Sequence, residues 1–210
     1  LRTPLSNLLT HTQVTLTRPR GIEDYREALH SNLEELQWMA QLVNDMLYLA
    51  KADHGLLMPR REPLQLAQEA DALLEFYAPL AEDAQVRLTR QGEATISGDR
   101  SMLRRALSNL LDNALRFTPP QGEVQVQIVD GAQGLHLSIA NTGDGIPPAL
   151  LPRLFDRFYR ADPARREGSS EHAGLGLAIT QSIIRAHGGT IRCESTQGWT
   201  RFVIELPKGD

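Results

Sequence analysis

Asn109, Asn113 and Arg116 recur at helical spacing in the run Asn109-Leu-Leu-Asp-Asn113-Ala-Leu-Arg116-Phe-Thr118. At about 100° per residue the three side chains share one stripe of an α-helix. Leu103, Leu107, Leu110, Leu111 and Ala114 gather on the opposite side and give that helix a core face. Amide oxygens are hard ligands suited to Mg²⁺, and a guanidinium grips phosphate oxygens through its planar fork. The stripe can therefore serve a metal-bound polyphosphate, or it can be a solvated polar face. Its own residues leave both readings open.

Other segments bear on the choice. Gly174-Leu175-Gly176-Leu177 opens a helix-like segment that runs to Ala186 and ends at His187-Gly188-Gly189. Glycines at a helix start let backbone amides approach phosphate, and the dipole favours the negative charge; tight packing would use the same glycines. Asn141-x-Gly143-x-Gly145 is a glycine turn after a strand, a weak signal by itself. Phe155-Asp-Arg-Phe-Tyr159-Arg160 is compact and aromatic, and Asp162 to His172 reads as a mobile loop. Lysine occurs only at Lys51 and Lys208, so phosphate binding would rely on arginine.

These residues need a scaffold. The 210 residues suit one large domain or two small ones, and 41% hydrophobic with 23% charged residues is ordinary for a globular protein. A formal net charge of −4 argues against nucleic-acid binding. The single Cys193 permits neither an internal disulfide nor a cysteine metal cluster. No apolar run approaches a membrane span and no signal peptide is visible, so the chain reads as soluble and suited to a reducing compartment.

A helix is expected over Pro4 to about Leu16, a turn at Arg18-Pro19-Arg20-Gly21, then a long helix from Ile22 to Ala52. In the latter Leu29, Leu36, Val43 and Ala50 form one seven-residue seam, and Tyr25, Asn32, Met39 and Met46 a second. Leu33, Ala40 and Leu47 widen the stripe beyond what two helices bury, so a dimeric four-helix bundle is expected. Met58 to Pro63 reads as a linker, placing domains at 1–58 and 59–210. Beyond it come a helix over Leu66 to Ala81, strands at Val86–Arg90 and Thr95–Ser97, and the organising helix from Arg100 to Phe117. Asp99 is its expected N-cap, and Pro119-Pro120 stop it. A hairpin of Val124–Ile128 with Leu135–Ile139, a short helix near Leu150, and strands Ile191–Glu194 and Phe202–Leu206 complete an α+β fold. A mixed sheet with helices on one face is the expected architecture.

In order and spacing, the four motifs resemble the catalytic domain of sensor histidine kinases, an α/β sandwich shared with gyrase, the heat-shock chaperone and mismatch-repair ATPases. Asn109–Thr118 resembles the family's N box, Asn141–Gly145 its first glycine box, Phe155–Arg160 its F box and Gly174–Leu177 its second glycine box. Leu1-Arg2-Thr3-Pro4-Leu5 is similar to the tail of the H box, and Ser6–Thr10 with Ser31–Leu36 resembles the copper and heavy-metal sensor branch. The resemblance implies ATP and Mg²⁺ as cofactors, with Asn109 and Asn113 holding the metal and triphosphate, and Arg116 on phosphate. It further implies Phe117 lining the pocket, Tyr159 near the ribose and phosphates, Arg160 at the γ-phosphate, and Gly174, Leu175, Gly176 and Leu177 beneath a lid at 162–172. Asn141, Gly143 and Gly145 would flank the adenine. Thr3 would position the attacking water of a phosphatase reaction, or act as a local helix cap.

The resemblance implies a homodimer through the hairpin, a response-regulator receiver domain as partner, and a membrane-anchored full-length protein of which this is a cytoplasmic part. Its acceptor histidine and following glutamate would lie immediately before Leu1, so this stretch is expected to bind ATP without accepting phosphate. Asn141 stands where the family has aspartate, and its carbonyl can accept the adenine amino bond without supplying charge. His172 replaces a glycine. A partner-clamping ATPase of the same superfamily and a dimeric scaffold without nucleotide are the competing expectations.

Overall fold

The computed structural model describes residues 2–132, 134–160, 173–196 and 198–207, with side chains from Pro4 onward. The Thr3 side chain, His172 and the expected lid at 162–172 lie outside the described residues.

Helix α1 (Arg2–Leu16) and helix α2 (Ile22–Asp53) form the expected hairpin. Gly21 starts α2, and the Asp24 carboxylate accepts from the Gly21 N–H at 3.0 Å, which closes the first turn. Of the Tyr25–Asn32–Met39–Met46 seam, Asn32 meets α1, donating to Thr12 Oγ1 at 3.0 Å and pairing with His11 Nδ1 at 3.3 Å, Tyr25 and Met39 are half-buried, and Met46 is exposed. The other seam is left open in the single chain. Leu29 is 67% exposed and Leu36 50%, and the residues buried on α2 are Ala28, Leu42 and Leu49, one position earlier in the same heptads. The reason is that α2 serves three neighbours. One stripe meets α1, one meets the following α/β unit, and the widest one is left outward.

That unit comprises β1 (Glu62–Gln65), α3 (Leu66–Asp83), β2 (Arg87–Gln91), β3 (Thr95–Gly98), α4 (Arg100–Phe117), β4 (Glu123–Gly131) and β5 (Gly134–Thr142). After a short 3₁₀ turn (Leu151–Arg153) follow α5 (Gly176–Ala186), β6 (Thr190–Thr196) and β7 (Trp199–Leu206). Five strands form a mixed sheet in the order β2-β4-β5-β7-β6, with β2–β4 parallel and the other pairs antiparallel. Its inner face, with Val124, Val126, Leu137, Ile139, Phe202 and Ile204, packs under α3, α4 and α5. Gln127, His136, Ser138, Arg192 and Arg201 line the opposite, polar face. The α+β fold with helices on one face is as expected.

The linker reading of 58–63 is corrected at its end. Glu62–Gln65 is a strand, paired antiparallel with β3 from Glu62↔Gly98 to Gln65↔Thr95. Pro63 disguises it, but a two-stranded ribbon has only edges, where the missing N–H costs little.

The hairpin docks on this unit. Leu42 and Leu49 enter its core. Arg105 of α4 donates to the Asp45 carboxylate and lays its guanidinium 4.4 Å from the Tyr48 ring centroid. Arg157 donates to Asp53 at the end of α2. Burial raises the Asp45 pKa against the opposing pull of Arg105 and Gln41.

Candidate functional site

Helix α4 is built as its sequence pattern requires. Leu103, Ala106, Leu107, Leu110, Leu111, Ala114 and Leu115 are buried, whereas Asn109, Asn113 and Arg116 stay accessible. Asp99 Oδ1 accepts from Met102 N at 3.0 Å, the N-cap bond. Burial opposes the Asp99 charge, but bonds from Ser101, Met102 and Arg60 outweigh it and hold the pKa below the usual value.

The second glycine group meets this stripe directly. Asn109 Nδ2 donates to Gly176 O at 3.1 Å and to Thr180 Oγ1 at 3.4 Å, which leaves its Oδ1 as the hard donor. A Cβ at Gly176 would come within 3.6 Å of the Asn109 side chain, ordinary contact, so glycine here preserves open backbone more than it avoids a clash. Leu175 is buried and starts α5, accepting from Ile179 N at 2.9 Å; Leu177 packs half-buried against the core.

The aromatic segment locks onto the same corner. Phe158 N donates to Gly174 O at 3.0 Å, and a Cβ at Gly174 (φ +70°) would sit 2.9 Å from Tyr159 O. Phe158 itself has φ +62°, rare for a non-glycine residue. Phe155 meets Phe202 edge-on at 6.3 Å, anchoring the segment to β7. Arg153 covers the Tyr159 ring at 4.5 Å, and Arg160 is half-buried.

On the other side, Asn141 is the penultimate residue of β5, is 5% exposed, and donates from Nδ2 to Thr142 O at 3.1 Å. Its carbonyl oxygen is thereby the acceptor for any further partner. A Cβ at Gly143 would lie 2.9 Å from Phe117 O, so this loop passes against the end of α4. Arg116 stacks over the Phe117 ring at 4.8 Å.

All four motifs therefore surround one corner formed by the Asn109–Phe117 stretch of α4 and the start of α5. Sequence reasoning missed the residues that pin them. Thr180 is fully buried beneath Gly176; its i,i+4 spacing to that glycine was the one available signal. Ser195 Oγ accepts from Ile146 N at 2.8 Å and Gly198 O from Gly143 N at 2.9 Å, so the β6–β7 turn fixes the first glycine loop. Gly145 has φ +78°, which the loop needs beside Ser195. His187 joins the far ends of α4 and α5. Ser195, Gly198 and His187 have no local signature for these bonds.

The residues fit a metal-bound nucleotide by their chemistry: two amide oxygens for a hard cation, arginines for phosphate, and an open-backbone helix start. Comparisons with known proteins bear on the family and the fold. Residues 98–210 match the family described as histidine kinase-, DNA gyrase B-, and HSP90-like ATPase, and residues 1–55 the His Kinase A (phospho-acceptor) domain. The sensor histidine kinase CusS of Escherichia coli O157:H7 is 47% identical over 99% of this chain and 43% of its own length. The chain thus spans less than half the length of the curated relatives it matches. The Acinetobacter baumannii histidine kinase AdeS superposes with a TM-score of 0.82 at 22% identity, over 100% of this chain and 97% of its own. The mycobacterial sensor histidine kinase MprB is 33% identical with a TM-score of 0.60, over 70% of this chain and 97% of its own. With the hairpin and ATPase family models matched in order along it, this chain belongs to the sensor histidine kinase family.

Proposed function

We propose that this chain is the catalytic core of a two-component sensor histidine kinase, cytoplasmic in a membrane-anchored protein of the copper and heavy-metal sensing branch. ATP is the phosphoryl donor. The acceptor is a ring nitrogen of the histidine that the family's H box puts immediately before Leu1, and the phosphoryl group passes next to an aspartate of a response regulator. The domains divide at 58/59. The outward Leu29, Leu36, Val43 and Leu47 stripe is the homodimer surface, since these side chains are exposed in the single chain.

The observation that carries the reading is the Asn109–Gly176 bond. It ties the amide stripe of α4 to the start of α5, within reach of the F box and the first glycine loop. In this reading Asn109 and Asn113 offer Oδ1 atoms to Mg²⁺, which neutralises triphosphate charge when bound. Arg116 and Arg160 hold phosphate oxygens, and amides around Gly174–Leu177 support them. Asn141 accepts the adenine amino proton bond, Gly143 and Gly145 give the base room, and Phe117 and Tyr159 border the nucleotide. Catalysis is then mostly positioning and charge neutralisation: the P–O bond to ADP breaks as the P–N bond forms, and ADP leaves with the electron pair. Thr3, four residues after the acceptor and so one turn on, positions water for dephosphorylation.

The test extends the chain with His-Glu before Leu1 and follows radiolabelled γ-phosphate. Acid-labile label on the new histidine, transferable to a receiver domain and abolished by Asn113→Ala, is expected. A folded dimer that takes no label would overturn the reading.

A further inference from the structure

The buried His187 belongs to none of the four motifs, yet it joins the two helices that carry the nucleotide corner. It caps α5 and is 3% exposed. Its Nδ1 lies 2.8 Å from Ile183 O, and its Nε2 lies 3.0 Å from the backbone N of Asp99, the N-cap of α4. A carbonyl can only accept and a backbone N–H can only donate, so the ring carries its proton on Nδ1 and a lone pair on Nε2. Gly98 makes room for this: a Cβ there would approach His187 Cδ2 to 3.4 Å and Leu103 Cδ1 to 2.5 Å.

Helices α4 and α5 run antiparallel and are bonded by side chains at two places. Asn109 reaches Gly176 O beside the motifs, and His187 reaches Asp99 roughly 15 Å away, at 1.5 Å rise per residue over ten residues. Between them Leu103, Ala106, Leu107, Ile179 and Ile183 pack without polar bonds. The angle between the amide stripe and the start of α5 is therefore set by both bonds together. We infer that His187 is a positioning residue for the nucleotide corner, and that its neutral ring is a condition for tight ATP binding. This rests on the ATP reading above.

Protonation would put an N–H on Nε2 facing the Asp99 N–H, turning an attractive contact into a repulsive one. The charged groups acting on the ring are Arg61, ahead of β1, which opposes the proton, and Asp99, at the head of α4, which favours it. Burial is the larger influence and keeps the ring neutral.

The experiment titrates Mg-ATP into the whole chain, as wild type, His187→Gln and His187→Phe, from about pH 7.5 to about pH 5.5, across the range where histidine titrates. Gln retains an acceptor and a donor without titrating. It should bind within about threefold of wild type at the upper pH and more tightly than wild type at the lower, the initial difference being at most about half the worth of one hydrogen bond. Phe, which has neither group, should bind about tenfold more weakly throughout, the worth of one such bond. Titration of ATP itself cancels in the ratio of wild type to Gln. Parallel pH profiles for wild type and Gln, or a folded Phe variant with wild-type affinity, would overturn the inference. A wild-type chain that binds no ATP at the upper pH overturns the ATP reading with it.

Discussion

The Asp45 carboxylate on α2 is held by the Arg105 guanidinium on α4, the same helix that presents Asn109 and Asn113. Burial raises the Asp45 pKa despite the arginine. The sign follows: a carboxyl whose folded pKa is raised binds protons more readily folded than unfolded, so its ionised form costs stability at neutral pH and that cost is relieved as pH falls. Asp45→Asn is expected to change unfolding free energy by less than about 1 kcal/mol, because the neutral amide still accepts from Arg105. Arg105→Ala strands a partly buried carboxylate and uncovers Tyr48, with an expected loss of about 1–3 kcal/mol. Denaturant unfolding of the two variants and their double mutant checks this. Equal losses for both would show that the pair matters through its charge alone.

The two outcomes of the α2 reading show where sequence reasoning works. The range of α4 was legible to the residue, because Asp99, the leucine stripe and Pro119-Pro120 each mark a different feature of the same helix. The stripe on α2 was legible as apolar, but not which stripe each neighbour covers. Leu29 and Leu42 look alike in sequence, and only the docked α/β unit distinguishes them. Strand β1 was hidden because its partner lies thirty or more residues on and Pro63 reads as a breaker. Within the site, the groups that resemble a motif were legible. Ser195 and His187 were not, since each accepts from a distant backbone N–H, and Thr180 was not, since its long-range bond is from the Asn109 side chain; no local pattern announces any of these long-range bonds.

Asn141→Asp separates base recognition from folding. The carboxylate would be the stronger acceptor for an amino group, so ATP affinity is expected to hold or to rise by up to about tenfold, as charge-assisted bonds are roughly twice as strong as neutral ones. The same change removes the donor to Thr142 O and sets two oxygens about 3.1 Å apart in a buried place. The nucleotide-free chain should therefore lose about 1–2 kcal/mol, the cost of a broken buried bond. Calorimetric titration beside thermal melting reads both. A large loss of affinity would mean that the amide nitrogen contacts the nucleotide.

Gly174→Ala tests the junction between the F box and α5. The backbone there has φ +70°, and an added Cβ would meet Tyr159 O at 2.9 Å and the Phe158 carbonyl carbon at 3.0 Å. Strain and overlap with backbone, which cannot rotate aside, are expected to cost about 1–3 kcal/mol and to displace Tyr159 and Arg160. ATP affinity should fall more than stability suggests. A variant that melts and binds like wild type would show that the junction adapts and that Gly174 is not a fixed point of the site.

Asp99 allows the link between cap and site to be read through pH. Its folded pKa lies below its ordinary value, the bonds from Ser101, Met102 and Arg60 prevailing over burial. A carboxyl lowered on folding stabilises the protein above its unfolded pKa, and that stability is lost as pH falls through the folded value. The window therefore lies below about pH 4, the ordinary aspartate range. Asp99→Asn keeps an oxygen for Met102 N but has no charge to lose, so acid unfolding should begin at the same pH or lower, with stability at neutral pH reduced by at most about 1 kcal/mol. Asp99→Ala removes the cap itself and should cost about 1–2 kcal/mol at neutral pH. Its backbone N–H to His187 survives in both variants, so ATP affinity should follow the loss of the cap, falling in the alanine variant and holding in the asparagine one. If Asn and Ala behave alike, the carboxylate charge, not the cap bond, is what organises the first turn of α4.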